Sequence, residues 1–272
     1  MTIGEILEIS KSRIESNNRK ALECEILLSH ILQKPRIYLH ANYDSHIPIS
    51  ILDSMLEKIA LLNESYPIEY ITNKVSFYSQ EFFIKEGALI PRSESELLVD
   101  RASFLIEKYN LREIYEIGIG SGVLSIILAL KHRDLKIIAT DSSINALQIA
   151  KENIEIKSKQ DSTLQNRINL IHTNLLDGIN WNPLNLIISN PPYIKNNYKI
   201  NKNLSYEPKE ALFGGERGDE ILRKIIDLDS KYLCCEIGFN QAYIRKYLHK
   251  YEKVEFYKDY SNLTRGFLAI KL

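Results

Sequence analysis

From residue 111 to the carboxyl end, short segments rich in Ile, Leu and Val alternate with amphipathic ones, and this alternation constrains the fold more than any other feature. Strands are expected over 111–117, 135–141, 169–174, 184–190 and 232–238, with helices over 123–132, 143–156, 217–229 and 240–250. Near-continuous apolar strands joined by helical crossovers form a parallel sheet buried on both faces, with right-handed connections. Two closing strands, 253–258 and 266–272, have too few residues between them for a crossover and are expected to pair antiparallel. The fold class is α/β.

Residues 1–68 read as a small helical bundle. Thr2 and Glu5 make a capping box before Ile3, Ile6 and Leu7. Cys24, Leu27, Leu28, Ile31 and Leu32 share one helix face, Pro35 marks its exit, and a third stripe runs Leu52, Met55, Leu56, Ile59. Polar faces without a catalytic cluster make this a scaffold or docking module. Over 66–90 the β-formers Tyr66, Tyr70, Val75, Phe77, Tyr78, Phe82, Phe83 and Ile84, broken by Asn73 and Gly87, suggest a hairpin, and 69–90 are read as the linking β-hairpin. A second capping box, Ser93 and Glu96, then opens a helix carrying Leu97, Leu98, Ala102, Leu105 and Ile106 in a catalytic domain over 91–272.

Composition excludes several classes. The 35 basic residues match 35 acidic ones, so no broad field favours phosphate backbones, although a local basic patch stays open. Cys24, Cys234 and Cys235 fit neither a disulfide framework nor a zinc pattern and read as reduced thiols of a cytoplasmic protein without a metal. The first ten residues lack the basic and apolar regions of a signal peptide. The longest nearly apolar run, 122–130, is about half of what a membrane helix needs.

The first chemical signal is Glu116-Ile-Gly118-Ile119-Gly120-Ser121-Gly122, where a strand gives way to a helix. Glycines there allow positive φ and remove side chains that would block a ligand from the helix's amino end. Asp141, at the tip of the next strand, lies 19 residues after Gly122 and is placed to accept two ribose hydroxyls. A dinucleotide fingerprint would need glycine at position 123, where Val123 stands, and a P-loop would need a following Lys and Ser or Thr. The spacing with a preceding acid is the S-adenosylmethionine form, in which Glu116 meets the ammonium of the methionine part. After the third strand, Asn174 can accept from an adenine amine only through its amide oxygen, and Leu175 either packs on the adenine or serves the core.

The second signal is Asn190-Pro191-Pro192-Tyr193 after the apolar strand ending at Ser189. Two prolines fix two φ angles and remove two amide donors, leaving stiff carbonyl acceptors. Asn190 adds a side-chain carbonyl and Tyr193 a flat ring, together a receptor for a planar NH2 group. The lone pair of such a nitrogen is delocalised into its π-system. Holding both hydrogens favours pyramidalisation and aims the lone pair at a methyl carbon, so positioning and electrostatics do the work without a strong base.

These residues resemble the protein-(glutamine-N5) methyltransferases of the HemK/PrmC type, which methylate the glutamine of the Gly-Gly-Gln motif in class I peptide chain release factors. The resemblance covers essentially the whole chain. It rests also on Leu89-Ile-Pro-Arg-Ser-Glu-Ser-Glu96, similar to the family's L-I-P-R-P-x-T-E, and on Glu207-Pro-x-x-Ala-Leu-x-Gly-Gly215. It implies a class I, Rossmann-like methyltransferase fold with a seven-stranded, mostly parallel sheet whose last strand is antiparallel. It further implies that Glu116, Gly118 to Gly122, Asp141, Asn174, Leu175 and Asn190 bind S-adenosylmethionine. Asn190, Pro191, Pro192 and Tyr193 would hold the substrate carboxamide, with Asn190, Pro191 and Tyr193 catalytic. The implied partner is a class I release factor, met by a monomer that needs neither nucleic acid nor membrane.

This chain departs from the family pattern at Glu116 for Asp, Ser93 and Ser95 for Pro and Thr, and Asn174 for Asp. Arg92, Glu94 and Glu96 either brace the site entrance or form a solvated helix start, and Glu207-Pro208 either shapes a loop over the tetrapeptide or makes a plain turn. The rival reading is an adenine-N6 methyltransferase acting on DNA or RNA, since the tetrapeptide also suits an aromatic amine flipped from a stack. A nicotinamide oxidoreductase is disfavoured by Val123 and the lack of a proton relay.

Overall fold

The computed structural model describes residues 1–15 and 19–272, which fall into two compact units. The first comprises Met1–Lys74 together with Asn201–Tyr206, the second Val75–Ile200 and Glu207–Leu272.

The first unit holds α1 (Ile3–Arg13), α2 (Lys20–Leu32), α3 (Arg36–Ala41), α4 (Ser50–Asn63) and α5 (Ile68–Thr72). The Thr2 capping box forms as expected: Glu5 N–H donates to Thr2 Oγ1 at 3.1 Å and Thr2 N–H to Glu5 Oε2 at 2.8 Å. Ile3, Ile6, Cys24, Leu27, Leu28, Leu39, Met55 and Ile59 make its core. Where the stripes predict three helices, the two additional ones start at prolines. Pro35 and Pro67 occupy the positions before α3 and α5, at φ −66° and −60°, where a missing N–H costs nothing. Pro35 is thus a start as well as an exit. Tyr70, counted among the β-formers, is a buried helical residue, because β preference yields to context. The stretch Asn201–Tyr206 joins this unit through Lys202 Nζ to Glu64 Oε2 at 2.6 Å and an edge-on contact of Tyr206 with Tyr66.

A hairpin of β1 (Lys74–Phe77) and β2 (Gln80–Phe83) leads into the second unit. Its strands are shorter than expected, and both turn residues, Tyr78 and Ser79, have positive φ, the conformation of a tight two-residue hairpin. Next come α6 (Glu96–Lys108), β3 (Glu113–Ile117), α7 (Val123–Lys131), β4 (Lys136–Asp141), α8 (Ile144–Lys157), α9 (Leu164–Arg167) and β5 (Ile168–His172). Then follow β6 (Leu186–Ser189), β7 (Ile194–Lys195), α10 (Lys209–Leu212), β8 (Phe213–Gly215), α11 (Glu220–Asp227), β9 (Tyr232–Glu236), β10 (Lys253–Lys258) and β11 (Thr264–Ile270).

The main sheet has seven strands in the order β10-β11-β9-β6-β3-β4-β5. β9, β6, β3, β4 and β5 run parallel, and β11 enters antiparallel between β9 and β10. This is the class I methyltransferase sheet that the resemblance implies. The chain leaves β3 toward β4 and β5, then returns to β6 on the other side, so the strand order reverses at β3. Ligands of doubly wound sheets bind in the crevice outside the carboxyl ends of strands at that switch.

Two expectations need correction, and one element was not expected. The capping box at Ser93 does not form: Ser93–Ser95 make a 3-10 turn without a side-chain cap, and Glu96 instead accepts the N–H of Tyr78 at 2.8 Å. Tertiary contact outbids the local cap there. The helix expected near 240–250 is a 3-10 segment, Ala242–Tyr247. A small sheet of β7 and β8, unforeseen in the sequence, ties the segment after the tetrapeptide to Gly215.

Candidate active site

β3 ends at Ile117 and α7 begins at Val123, and the five residues between them turn on three glycines with positive φ. They serve two purposes. A Cβ on Gly118 or Gly120 would meet no atom within 4 Å, so these two leave open space above the backbone. A Cβ on Gly122 would press on Ala150 of α8 at 3.2 Å, so the third glycine lets two helices approach. Only the first two clear the way for a ligand.

A cavity of about 340 Å³ opens at this turn. Its wall brings together Glu116, Gly118, Ile119, Gly120 and Ser121 with Asp141, Asn174, Leu175, Asn190, Pro191 and Pro192. Gly122 and Tyr193 lie outside it. Asp141, last residue of β4, accepts Gly120 N–H on Oδ2 and Ser143 N–H on Oδ1, both at 2.9 Å. Each carboxylate oxygen keeps a further lone pair for a ligand hydroxyl. Burial raises the Asp141 pKa despite these amides.

Glu116 is fully buried. Ser125 donates to its Oε2, while Oε1 has no partner among the described residues. Burial pushes its pKa up to about 8, with the charge of Asp141 acting in the same direction. A buried carboxylate oxygen without a donor, in the cavity wall beside bare glycine backbone, fits the ammonium end of an amino-acid-like cofactor, which would both pair the oxygen and restore its charge. The longer reach of Glu over Asp does not remove that fit.

Asn174 is exposed beyond the end of β5, with Nδ2 3.5 Å from Asp177 Oδ2. Leu175 takes φ +51°, rare for a leucine, lines the cavity and packs partly on the core. Leu175 thus contributes to the core while one side faces the cavity.

Tetrapeptide geometry separates free acceptors from committed ones. Ser189 Oγ, just before it, donates to Ile117 O at 2.7 Å and locks β6 to β3. Asn190 Nδ2 donates to Ser95 Oγ at 3.0 Å, and no described residue donates to Asn190 Oδ1 or to Pro191 O. The carbonyl of Pro192 is packed against Gly214, where a Cβ would collide with it. Tyr193 O accepts from Gln241 Nε2 at 3.3 Å, and Gln241 also bonds Gly218 O at 2.8 Å and Gly238 N at 3.1 Å. Burial pushes the Tyr193 phenol up to about 12, so its ring stays neutral.

Supports from distant sequence surround these groups. Glu207, 4% exposed, accepts the N–H of Ile90 at 2.9 Å and pairs with Arg92. Glu94 pairs with Arg265 at 3.5 Å. Arg92, Glu94 and Glu207 are thus held in ion pairs rather than left in a solvated helix start or a plain turn, whereas Glu96 forms no such pair among the described residues and accepts the Tyr78 amide. Asn153, completely buried on α8, bonds both N–H and C=O of Phe83 at 2.8 Å and Ser121 O at 2.9 Å, fastening the hairpin to the glycine turn. Sequence reasoning passed over Asn153 and Gln241. An amide on the apolar stripe of a helix was the available signal for the former; Gln241 gave none.

Comparison with known proteins agrees with this geometry. Residues 94–215 match the methyltransferase small domain and residues 5–72 the PrmC N-terminal domain. The chain is 30% identical to the release factor glutamine methyltransferase of Clostridium acetobutylicum over 94% of each chain. It is 33% identical to that of Mycoplasma mycoides subsp. mycoides SC, over 94% of this chain and 95% of the relative. Among solved structures, the hMettl16 catalytic domain in complex with an MAT2A 3′UTR hairpin has a TM-score of 0.55 at 17% identity, covering 70% of this chain and 74% of the other. That likeness speaks for the methyltransferase fold alone. Full-length similarity, both domain matches and a cavity at the switch of a seven-stranded sheet place this chain in the family of release factor glutamine methyltransferases.

Proposed function

We propose that the chain methylates the side-chain nitrogen, N5, of the glutamine in the Gly-Gly-Gln motif of class I peptide chain release factors, with S-adenosylmethionine as donor. The observation that carries this reading is the pair of acceptors without a donor among the described residues, Asn190 Oδ1 and Pro191 O, in the wall of a cavity that Glu116, with its unpartnered carboxylate oxygen, also lines.

Glu116 would meet the cofactor's ammonium, Gly118 to Ser121 its backbone-lined path, Asp141 its ribose, and Asn174 and Leu175 its base. The bound cofactor supplies an electrophilic methyl carbon on sulfur. Asn190 Oδ1 and Pro191 O each take one hydrogen of the glutamine carboxamide, while the Tyr193 ring stacks on its face. With both hydrogens held, the nitrogen lone pair would point at the methyl carbon; as the nitrogen–carbon bond formed, the carbon–sulfur pair would leave with sulfur, and the cationic methylated nitrogen would then release one of its N–H protons to water to give the neutral N5-methyl amide. Catalysis then consists of orientation and acceptor placement rather than proton abstraction.

The helical unit within residues 1–68 is assigned to docking the release factor, residues 69–90 to linkage and 91–272 to catalysis. We assign the protein to the cytoplasm as a monomer; no described helix is long and apolar enough to cross a membrane. The test is transfer of a labelled methyl group from S-adenosylmethionine by recombinant protein to a full-length class I release factor, to the same factor with the motif glutamine replaced by alanine, and to total nucleic acid. Label confined to the intact factor, on that glutamine by mass spectrometry, is the expected result. Label in nucleic acid alone overturns the reading in favour of an adenine substrate.

A further inference from the structure

Sheet register brings a second polar residue beside Asn190. β6 and β9 are parallel neighbours with Ser189 paired to Cys235. The next residues, Asn190 and Glu236, therefore leave the two strands side by side. Between them sits Ser95, from the 3-10 turn before α6. Its Oγ donates to Glu236 Oε2 at 2.6 Å and accepts from Asn190 Nδ2 at 3.0 Å. Ser95 is 3% exposed and Glu236 2%, so water does not compete for these bonds.

We propose that Ser95 and Glu236 are positioning residues that decide which end of the Asn190 carboxamide meets the methyl acceptor. The proposal rests on the reading of Asn190 as a receptor for the substrate amide. A serine hydroxyl has one proton. While the Glu236 carboxylate takes that proton, Ser95 presents only a lone pair to Asn190, and only Nδ2 can satisfy it. Oδ1 is thereby left for the substrate's N–H. The two ends of an asparagine amide are nearly alike in shape, and the hydrogen-bond network alone chooses between them. Turned over, Asn190 would set a donor against a donor, and the substrate nitrogen would lose one of its two holds.

The relay is sensitive to the proton on Glu236. The groups facing it are Arg92, Glu94 and Ser95 from the segment before α6, Arg265 from β11, Tyr193 from the tetrapeptide and Tyr257 from β10. Burial outweighs the two arginines and pushes the Glu236 pKa up to about 7. Once protonated, Glu236 donates to Ser95, whose own proton turns toward Asn190 and selects Oδ1. Methyl transfer therefore falls as pH drops through about 7, while the Glu236 proton leaves cofactor affinity unchanged.

The experiment measures kcat and KM from pH 5.5 to about 9 for the full chain with a class I release factor. In parallel, the Asn190 side-chain amide protons are followed by NMR in protein labelled at asparagine. Ser95→Ala should lower kcat on the order of tenfold to a hundredfold, with KM for S-adenosylmethionine close to wild type, and Ser95→Thr should restore it. Glu236→Gln keeps an oxygen for the serine proton, so activity at neutral pH should persist while the fall in acid disappears. The Asn190 amide protons should lose their bonded shift in Ser95→Ala and move with pH only where Glu236 is present. Loss of all activity in Glu236→Gln would make Glu236 a base and overturn the proposal, as would amide signals and pH profiles indifferent to both variants. A wild-type chain that leaves the release factor unlabelled overturns the functional reading alone, because the amide signals still report whether the relay holds Asn190.

Discussion

The glycine turn after β3 and the tetrapeptide after β6 stand at the ends of neighbouring strands and are prepared in opposite ways. The turn is kept bare: Gly118 and Gly120 have open space where side chains would be, and Glu116 keeps an oxygen unpaired. The tetrapeptide is held on every side, by Ser95, Gly214, Gly218 and Gln241, so that only chosen acceptors are left over. A cofactor brings its own hydrogen-bonding groups to a vacant cradle. A substrate amide whose electrons must be aimed needs receptors that cannot shift, and rigidity is supplied by neighbours distant in sequence.

The contrast breaks most sharply at Asn190. Asn190→Ala is expected to reduce methyl transfer by about a hundredfold to a thousandfold with S-adenosylmethionine binding, measured by calorimetry, nearly unchanged. A similar loss of cofactor affinity would mean that the two halves are not separate.

Gly214→Ala is the next in size. The added methyl collides with the Pro192 carbonyl and would lie 2.8 Å from Gly218 O, so the tetrapeptide must move. We expect a fall in kcat on the order of tenfold and a lower Tm by calorimetry. Gly120→Ala provides a contrast: it meets no protein atom within 4 Å but adds strain at φ +56°, so it should lower Tm modestly and act on cofactor binding, with kcat at saturating cofactor largely kept.

Asp141→Ala should weaken cofactor binding by roughly tenfold, about the worth of one or two hydrogen bonds, since it removes the ligand's acceptor and the support of Gly120 and Ser143 together. Saturating cofactor should recover most of kcat in a steady-state assay.

A prediction of another kind concerns pH and stability. The folded chain raises Glu116 from 4.5 to about 8, so between those values it holds a proton that the unfolded chain has released. Stability from this group is complete below pH 4.5 and is lost as pH rises toward 8. Glu116→Gln should flatten that decline in cofactor-free protein, as read from urea midpoints across the range, leaving the part contributed in the same direction by Glu236. An unchanged slope would mean that the Glu116 oxygen is not desolvated.

Much of the site could be read along the chain because its chemistry is carried by contiguous residues. The strand-to-helix glycines, Asp141 at the next strand end and Asn190 to Tyr193 each occupy a single turn, where local geometry and residue type already limit the options. Two misreadings share one cause. Ser93 with Glu96 looks like a cap and Tyr70 looks like a strand residue when only neighbours in sequence are considered, yet Glu96 is claimed by the Tyr78 amide and Tyr70 by a helix starting at Pro67.

What the sequence by itself determined was the kind of sheet, and the place of the glycine turn and the tetrapeptide at its strand ends, since periodicity and backbone permissiveness are local properties. Only the tertiary structure decided which oxygens remain available. Asn190 is oriented from Ser95, 95 residues earlier, and Ser95 is anchored by Glu236, 141 residues later. Hydrogen-bond partners so far apart are chosen by strand order and register, and a one-dimensional pattern of residue types carries neither.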